Sequence, residues 1–455
     1  DSIPISTRAE LEAIRDNLGG KYHLTDDIDL SGVDWEPIGD YLTNYSDADA
    51  FQGVLDGQGH VITGLTVLDY SKTTASSEYS GLFGYMGAKA IVKNLGLEDV
   101  CIYSNAWCVR VGGICGATGS ATISNCYVTG QITGWETGSS GAYVGGLIGI
   151  VAVNSSLFEA TDCYSSADVT ARGVSGACVG GICGYFINSG RLYNCSNFGN
   201  VTISDSRGNA YAAGIVGRIG DSAKMIHCQN TGNVNAFTEG HYGCAGGIVA
   251  EISSNDGGVM ASSNVGDVVL TSSASSTSGP TLDAGGIVGN GYGKVTDCYN
   301  RGRISASSAQ GVASTNVYAG GIVGHSILYS SYVPEIVRCY NTGSVDAGNP
   351  GGIAGKSLAG ATVANCYWNS DSPQSAGATV LEGRAVFLDY NGAGGLTTAQ
   401  MQQAASFTGF DFTDVWSMVS GQNNGYPVLR AKPVPFNVTM KKGYYDYDCG
   451  SYAKG

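Results

Sequence analysis

The sequence predicts an all-β chain wound as a parallel β-helix, a solenoid of about ten coils. Three observations predict it. A glycine pair returns along the chain: its second glycine falls at Gly113, Gly146, Gly181, Gly214, Gly247, Gly286, Gly321 and Gly352, at intervals of 31 to 39 residues, and Gly81 in "SGLFG" lies 32 residues upstream of the first. A cysteine series keeps step with it. No unit holds a 3.6-residue apolar period long enough for a helix, which excludes helical repeats. The 70 glycines lack the every-third spacing of collagen, and an apolar fraction of 43% is too high for disorder.

At the front, "STRAELEAIRDNLGG" carries a Ser/Thr cap signal, apolar Leu11, Ile14 and Leu18, and a stop at Gly19-Gly20. It predicts a short amphipathic capping helix, and residues 1–80 are assigned to this cap and the first coils. A solenoid needs such a cap because its terminal coil otherwise exposes core and strand edges.

Residues 81–370 hold the repeats. The second series runs Cys126, Cys163, Cys195, Cys228, Ser262, Cys298, Cys339 and Cys366, with serine filling one rung. Four residues after each rung up to Cys339 comes glycine (Ala167 in one case), and six after comes valine or isoleucine, from Ile132 to Val345. This internal spacing is fixed while the loops vary, the mark of a rigid step between tolerant connections. Each unit reads as three short strands: one with the glycine pair, one with an apolar residue and the cysteine, one with the valine. Stacked units bury one continuous core that no unit could bury alone.

The ladder cysteines are read as small, inward, mostly reduced side chains packing on their copies, since free cysteine is among the most buried residue types. Fourteen cysteines fall well below the density of a disulfide scaffold. None shows the C-x₂-C spacing of a zinc site. The residue before the rung is usually polar (Asn125, Asp162, Asn194, Asp297, Arg338, Asn365). An odd separation from the preceding inward residue breaks strand alternation there, so a bend is expected, with Asn and Asp favoured for turn reasons. Tyr127, Tyr164, Tyr299, Tyr340 and Tyr367 follow the rungs and are expected outside. They form either a stacking surface for sugars or proteins, or rings covering neighbouring coils.

At the back, residues 371–430 are assigned to a second cap, with "LTTAQMQQAASF" as its helix, and residues 431–455 to a tail with strand-prone Val438, Thr439, Tyr444, Tyr445 and Tyr447.

The stretches "GKYHLTDDIDLSGVDWEPIG", "FQGVLDGQGHVITGL", the "GGIVG" series and "NNGYPVL" resemble the GLUG-repeat β-helix region of bacterial surface proteins. That region also occurs beside the catalytic part of IgA-specific zinc metallopeptidases. The resemblance covers about residues 1–430. It implies a right-handed β-helix on an exported, surface-associated protein, without implying peptidase activity. Such activity needs H-E-x-x-H, and none of His23, His60, His227, His241 or His325 begins that pattern.

The remaining chemistry is sparse. A formal charge of −15 argues against a nucleic-acid partner. No apolar run of about twenty residues offers a membrane helix. The chain opens at "DSIPIS" without a basic-apolar leader, as a mature exported protein and a trimmed chain both do, so export is inferred from the class of protein. No nucleophile motif appears, and no cofactor is called for. Asp27 and Asp29 share one face of an alternating strand and are candidate calcium ligands, although plain solvation explains them too. Asp162 and Asp297 are not on neighbouring rungs, and Arg338 follows Asp297, so bend residues explain them better than a catalytic pair.

The expected function is a non-catalytic extracellular module of a bacterial cell surface, adhesive or structural, whose partner is a host glycan or protein. Two alternatives stand beside it. One is a self-assembling filament subunit: residues 1–60 carry a net −10 and the tail from Arg430 a net +3, so residues 436–455 could pair with the acidic front of another copy. The other is a polysaccharide-active or protease-associated β-helix, marked by a groove with paired carboxylates on adjacent coils.

Overall fold

The computed structural model describes residues 2–39, 49–69, 77–152, 157–254, 256–274, 280–309, 316–327, 333–357, 361–372 and 394–430. The tail at 431–455 lies outside them. The chain divides into two compact units, one holding the described residues up to Gly208 and the other those from Asn209 onward. Each is a stack of parallel strands, and the solenoid has about nine turns.

A coil of the first unit shows the plan. Its strands are Ala142–Gly145, Ile148–Val151, Phe158–Thr161, Tyr164–Ser165 and Asp168–Gly173. Each pairs in parallel with its counterpart one coil on, Gly145 opposite Gly180 and Val169 opposite Val201. The second unit repeats the plan, with Gly246 opposite Gly285 and Val268 opposite Ile304. The expected three strands are therefore five. The glycine pair is a corner rather than part of a strand: the inbound strand ends on the first glycine and the outbound strand starts three residues later. The rung cysteine likewise sits between strands.

The bend before the rung has a defined cause. Asn125, Asp162, Asn194, His227, Ala261, Asp297, Arg338 and Asn365 all adopt left-handed backbone, with φ between 47° and 55°. Asn and Asp tolerate this conformation, which explains their frequency. Their side chains also bond along the stack: Asn194 Nδ2 donates to Asp162 Oδ1 at 2.6 Å, and the Arg338 guanidinium grips Asp297 through two bonds of 2.7 and 2.6 Å.

All eight rung residues are buried. Each of the thiols donates to the carbonyl two residues before it, as Cys163 does to Thr161 at 3.1 Å, and Ser262 Oγ does the same to Met260 at 2.8 Å. The rung thus asks for a small side chain with a donor, which serine supplies as well as cysteine. Twelve described cysteines are free thiols and all are buried.

Two residues past the rung the structure holds a second ladder. Asn230, Asn264, Asn300 and Asn341 are fully buried in the second unit. Each amide nitrogen spends one hydrogen on the glycine carbonyl two residues on, and from Asn230 to Asn300 the other goes to the next asparagine's Oδ1, at 2.8 Å each time. Asn264→Ala would leave a donor on Asn230 unpaired in the core and take the side-chain donor from the Gly266 carbonyl, while Asn300 Oδ1 would keep only the Gly302 amide at 3.2 Å. At about 1–3 kcal/mol for each buried unpaired group, the expected loss is about 3 kcal/mol, read as a shift of the urea midpoint. A loss below about 1 kcal/mol would show the ladder to be idle.

The front cap forms as expected. Arg8–Glu12 is helical and continues as 3-10 over Ala13–Asp16, with Thr7 and Glu10 making a capping box and Leu11 and Ile14 buried. The back segment differs. Its helix is only Thr398–Met401, and the segment packs against the flank of the last coils, as the tyrosines show.

Candidate functional site

The five tyrosines do not form one surface. Tyr127 and Tyr164 stack with centroids 4.9 Å apart and an interplanar angle of 2°, half-buried, and the Tyr127 hydroxyl donates to Glu98 at 2.8 Å. Burial and this bond push the Tyr127 phenol upward. Tyr299, Tyr340 and Tyr367 are instead buried beneath Phe407, Phe410, Trp416 and Tyr426. Tyr340 donates to the Pro427 carbonyl at 2.5 Å and accepts from Asn423 at 2.7 Å, while Trp416 Nε1 donates to Asp297 at 3.2 Å. These three cannot serve as a binding surface. The apolar residues of the back segment need cover, and the outward tyrosines supply it.

The calcium candidates are occupied by protein donors. Asp27 Oδ1 accepts from the Val61 amide and faces His60 Nδ1, both at 3.0 Å, and Asp29 accepts from the Ser31 amide at 2.8 Å. The Val61 amide, then His60, holds the Asp27 carboxyl below the usual range; the Ser31 hydroxyl and amide do so for Asp29. Among the described residues no three His, Cys, Asp or Glu side chains group to hold a metal.

A different feature emerges from the glycine corner. The fifth residue of "GGIVG" lets the outbound strand lie against the inbound one: a Cβ on Gly116 would stand 2.6 Å from the Arg110 carbonyl, and one on Gly184 2.6 Å from the Val144 nitrogen. The outward side chains of the two strands therefore face each other across a groove. In the first unit the inbound strands contribute Tyr79, Arg110, Tyr143 and Cys178 in register. The outbound strands contribute Tyr85, Ala117, Ile150 and Tyr185. Tyr79, Tyr143 and Tyr185 are half-buried and pack against the buried cluster of Tyr85, Ala117 and Ile150. The rings of Tyr143 and Tyr185 stack at 5.7 Å.

In the second unit the same positions are ionisable. Inbound Tyr211, Cys244, Asp283 and Tyr318 face outbound Arg218, Glu251, Asn290 and His325, each partner seven residues later. Glu251 and Asp283 are thus carboxylates on adjacent coils. Glu251 is held by Arg218 at 2.7 Å, Ser253 at 2.6 Å and Tyr242 at 3.1 Å. Asp283 is fully buried and bonded to the Asn290 amide, and His325 Nδ1 lies 3.4 Å from its other oxygen, out of hydrogen-bond alignment. The Cys244 thiol donates to the Ala250 carbonyl at 2.8 Å. Burial, then Asp283 and Glu251, raise it well above its ordinary value, so it is no thiolate at neutral pH. The carboxylate pair is bound into a fixed network.

The groove was readable as a residue two before the glycine pair and another seven later, but the sequence reading followed the cysteine register and missed it. Residues 108–133 run from an inbound strand, over the glycine corner, past rung Cys126. They match the family profile "The GLUG motif". The chain carries a GLUG motif. The resemblance read from the sequence is thereby borne out for this coil type. A 169-residue stretch is 30% identical to Halomucin of Haloquadratum walsbyi, covering 34% of this chain and 2% of that protein. A 120-residue stretch is 36% identical to a protein of Evansella cellulosilytica whose name describes a Gly-rich membrane protein, covering 25% of this chain and 13% of that one. The chain thus spans a small part of either relative. Among solved structures, one from Bacteroides ovatus, named for an immunoglobulin A1 protease, aligns over 94% of this chain and 92% of its own at 18% identity and TM-score 0.44. A second, named IgA1 Protease, aligns over 97% of this chain and 26% of its own at 12% identity and TM-score 0.36.

Proposed function

We propose that this chain is a non-catalytic, extracellular adhesive module of a bacterial cell surface, binding through the groove beside its glycine corners. One observation carries the reading: Glu251 and Cys244 are held by internal partners and Asp283 is fully buried, whereas the tyrosine-lined stretch of the groove at Tyr79, Tyr143 and Tyr185 stays part-exposed. A general acid or base must reach a substrate proton; a carboxylate held by three neighbours does not. Side chains that are aromatic with a polar tip suit a contact surface.

The test pairs binding with turnover. Purified protein is expected to be retained on immobilised mucin glycoprotein, and to lose retention in the double variant Tyr143→Ala, Tyr185→Ala with the fold checked by circular dichroism. It is expected to release neither fragments from immunoglobulin A nor reducing ends from polysaccharides. Turnover that Glu251→Gln abolishes would overturn the reading in favour of an enzyme.

A further inference from the structure

We propose that Arg110 and the tyrosines beside it form a subsite for the carboxylate of an acidic sugar in a polysaccharide. The proposal rests on the adhesive reading above and names the chemistry of its ligand. Arg110 lies on Cys108–Gly112, in register with Tyr79 on one neighbouring coil and Tyr143 on the other. Its guanidinium carbon stands 4.9 Å from one ring centroid and 5.8 Å from the other. A planar cation between two π faces is held by the ring quadrupoles, and its rotamer freedom is already spent.

What this cation lacks is an anion. Arg8, Arg172, Arg191, Arg218, Arg303 and Arg338 each have a carboxylate partner. Among the described residues Arg110 has none, and its Nη1 is buried without any hydrogen-bond acceptor. The position across the groove explains why. In the second unit the facing partner is a side chain that can interact, as Glu251 faces Cys244 and Asn290 faces Asp283. At the facing position, seven residues on, stands Ala117, whose methyl group offers the guanidinium no acceptor. In a chain of net charge −15, a preset and unpaired guanidinium in a groove is a receptor for an external anion.

The groove favours a sugar ring over a peptide. An extended peptide gains affinity by pairing with a free strand edge. Here Cys108–Gly112 is already paired on both edges, and so is the outbound strand Cys115–Thr118. Recognition must come from side chains alone. The part-exposed Tyr143 and Tyr185 rings, packed on the buried Ala117 and Ile150, accept the apolar face of a pyranose while its carboxylate meets the guanidinium.

Calorimetric titration of the intact chain with tetragalacturonate, with its fully methyl-esterified form and with tetraglutamate tests this. The tetragalacturonate is expected to bind, the ester at least about tenfold more weakly, and tetraglutamate not to bind measurably. Arg110→Gln is expected to lose about tenfold or more, and Arg110→Lys, which keeps the charge without the fork, to fall between. Because Arg110→Gln could loosen the tyrosine sandwich, Ala117→Asp is the second variant. It places a carboxylate across from Arg110, and is expected to abolish binding while leaving the thermal midpoint equal or higher. No binding of tetragalacturonate, equal binding of acid and ester, unchanged binding in Ala117→Asp, or binding of tetraglutamate alone would each overturn the proposal. Any of these leaves the adhesive reading standing, whereas turnover would remove that reading by itself.

Discussion

Gly286→Ala is expected to destabilise the second unit by about 4 kcal/mol or more, beyond the usual 1–3 kcal/mol for over-packing. A Cβ there would stand 2.0 Å from the Gly321 carbonyl oxygen and 2.5 Å from Asn300 Cγ. Neither obstacle can step aside. The first is backbone of the paired neighbouring coil, and the second is a member of the buried asparagine ladder, bonded on both sides. The preceding glycine is equally confined, since a Cβ on Gly285 would lie 1.8 Å from the Val288 carbonyl oxygen. Gly394 gives the contrast: nothing lies within 4 Å of its absent Cβ, so Gly394→Ala should shift stability by less than about 0.5 kcal/mol. Denaturant midpoints of the two variants measure the difference. Equal midpoints would show that the coil relaxes around an added methyl, and the steric account of the pair would fail.

That account also explains what the sequence could and could not disclose. The period, the rung and the bend were legible because each recurs at a fixed spacing: Cys126 to Gly130 to Ile132 repeats as Cys298 to Gly302 to Ile304. The corner at the glycine pair was misread as strand. Gly285 and Gly286 have ordinary negative-φ or extended backbone, so they are not turn glycines in the conformational sense. Gly286 is glycine because the neighbouring coil leaves no room and Gly285 because the outbound strand of its own coil leaves none, and only the folded structure shows that. The fate of Tyr299, Tyr340 and Tyr367 was hidden for a related reason. Their rings match Tyr127 and Tyr164 in register position, yet Phe407 and Trp416, more than sixty residues downstream of Tyr340, settle on them. Burial by a distant segment leaves no periodic mark. Arg110 was overlooked because one basic residue within a repeat carries no spacing signal; what singles it out is its lack of a carboxylate partner among the described residues, Ala117 standing where the second unit places Arg218, Glu251, Asn290 and His325.

Raising the pH above about 9 is expected to unfold the chain cooperatively within about two pH units, while pH 6 to 8 leaves stability unchanged. Burial raises the thiols of Cys115, Cys163, Cys244, Cys339 and Cys366 well above their ordinary value and that of Cys183 to about 12. For Cys195 the hydrogen bond with Cys163 comes first and burial second. The sign follows from the proton count. A group with a raised folded-state value keeps its proton where the unfolded chain has released it, so its contribution is complete below the unfolded value and disappears above it. Each such thiol removes about 1.4 kcal/mol per pH unit once the unfolded form is ionised. Seven together remove about 10 kcal/mol per unit, comparable with the whole stability of a typical domain. The rung tells how to test this. Ser262 shows that serine fits the position and makes the same bond to the carbonyl two residues back. Cys163→Ser and Cys339→Ser, singly and together, should therefore fold and should move the alkaline midpoint upward, with one fewer proton released per substitution. Circular dichroism between pH 7 and 11 reads the midpoint. Thiol titration of denatured, unreduced protein should find at least the twelve free cysteines. A far-UV signal constant to pH 11, or an alkaline midpoint indifferent to both serine substitutions, would show that the buried thiols do not govern the transition.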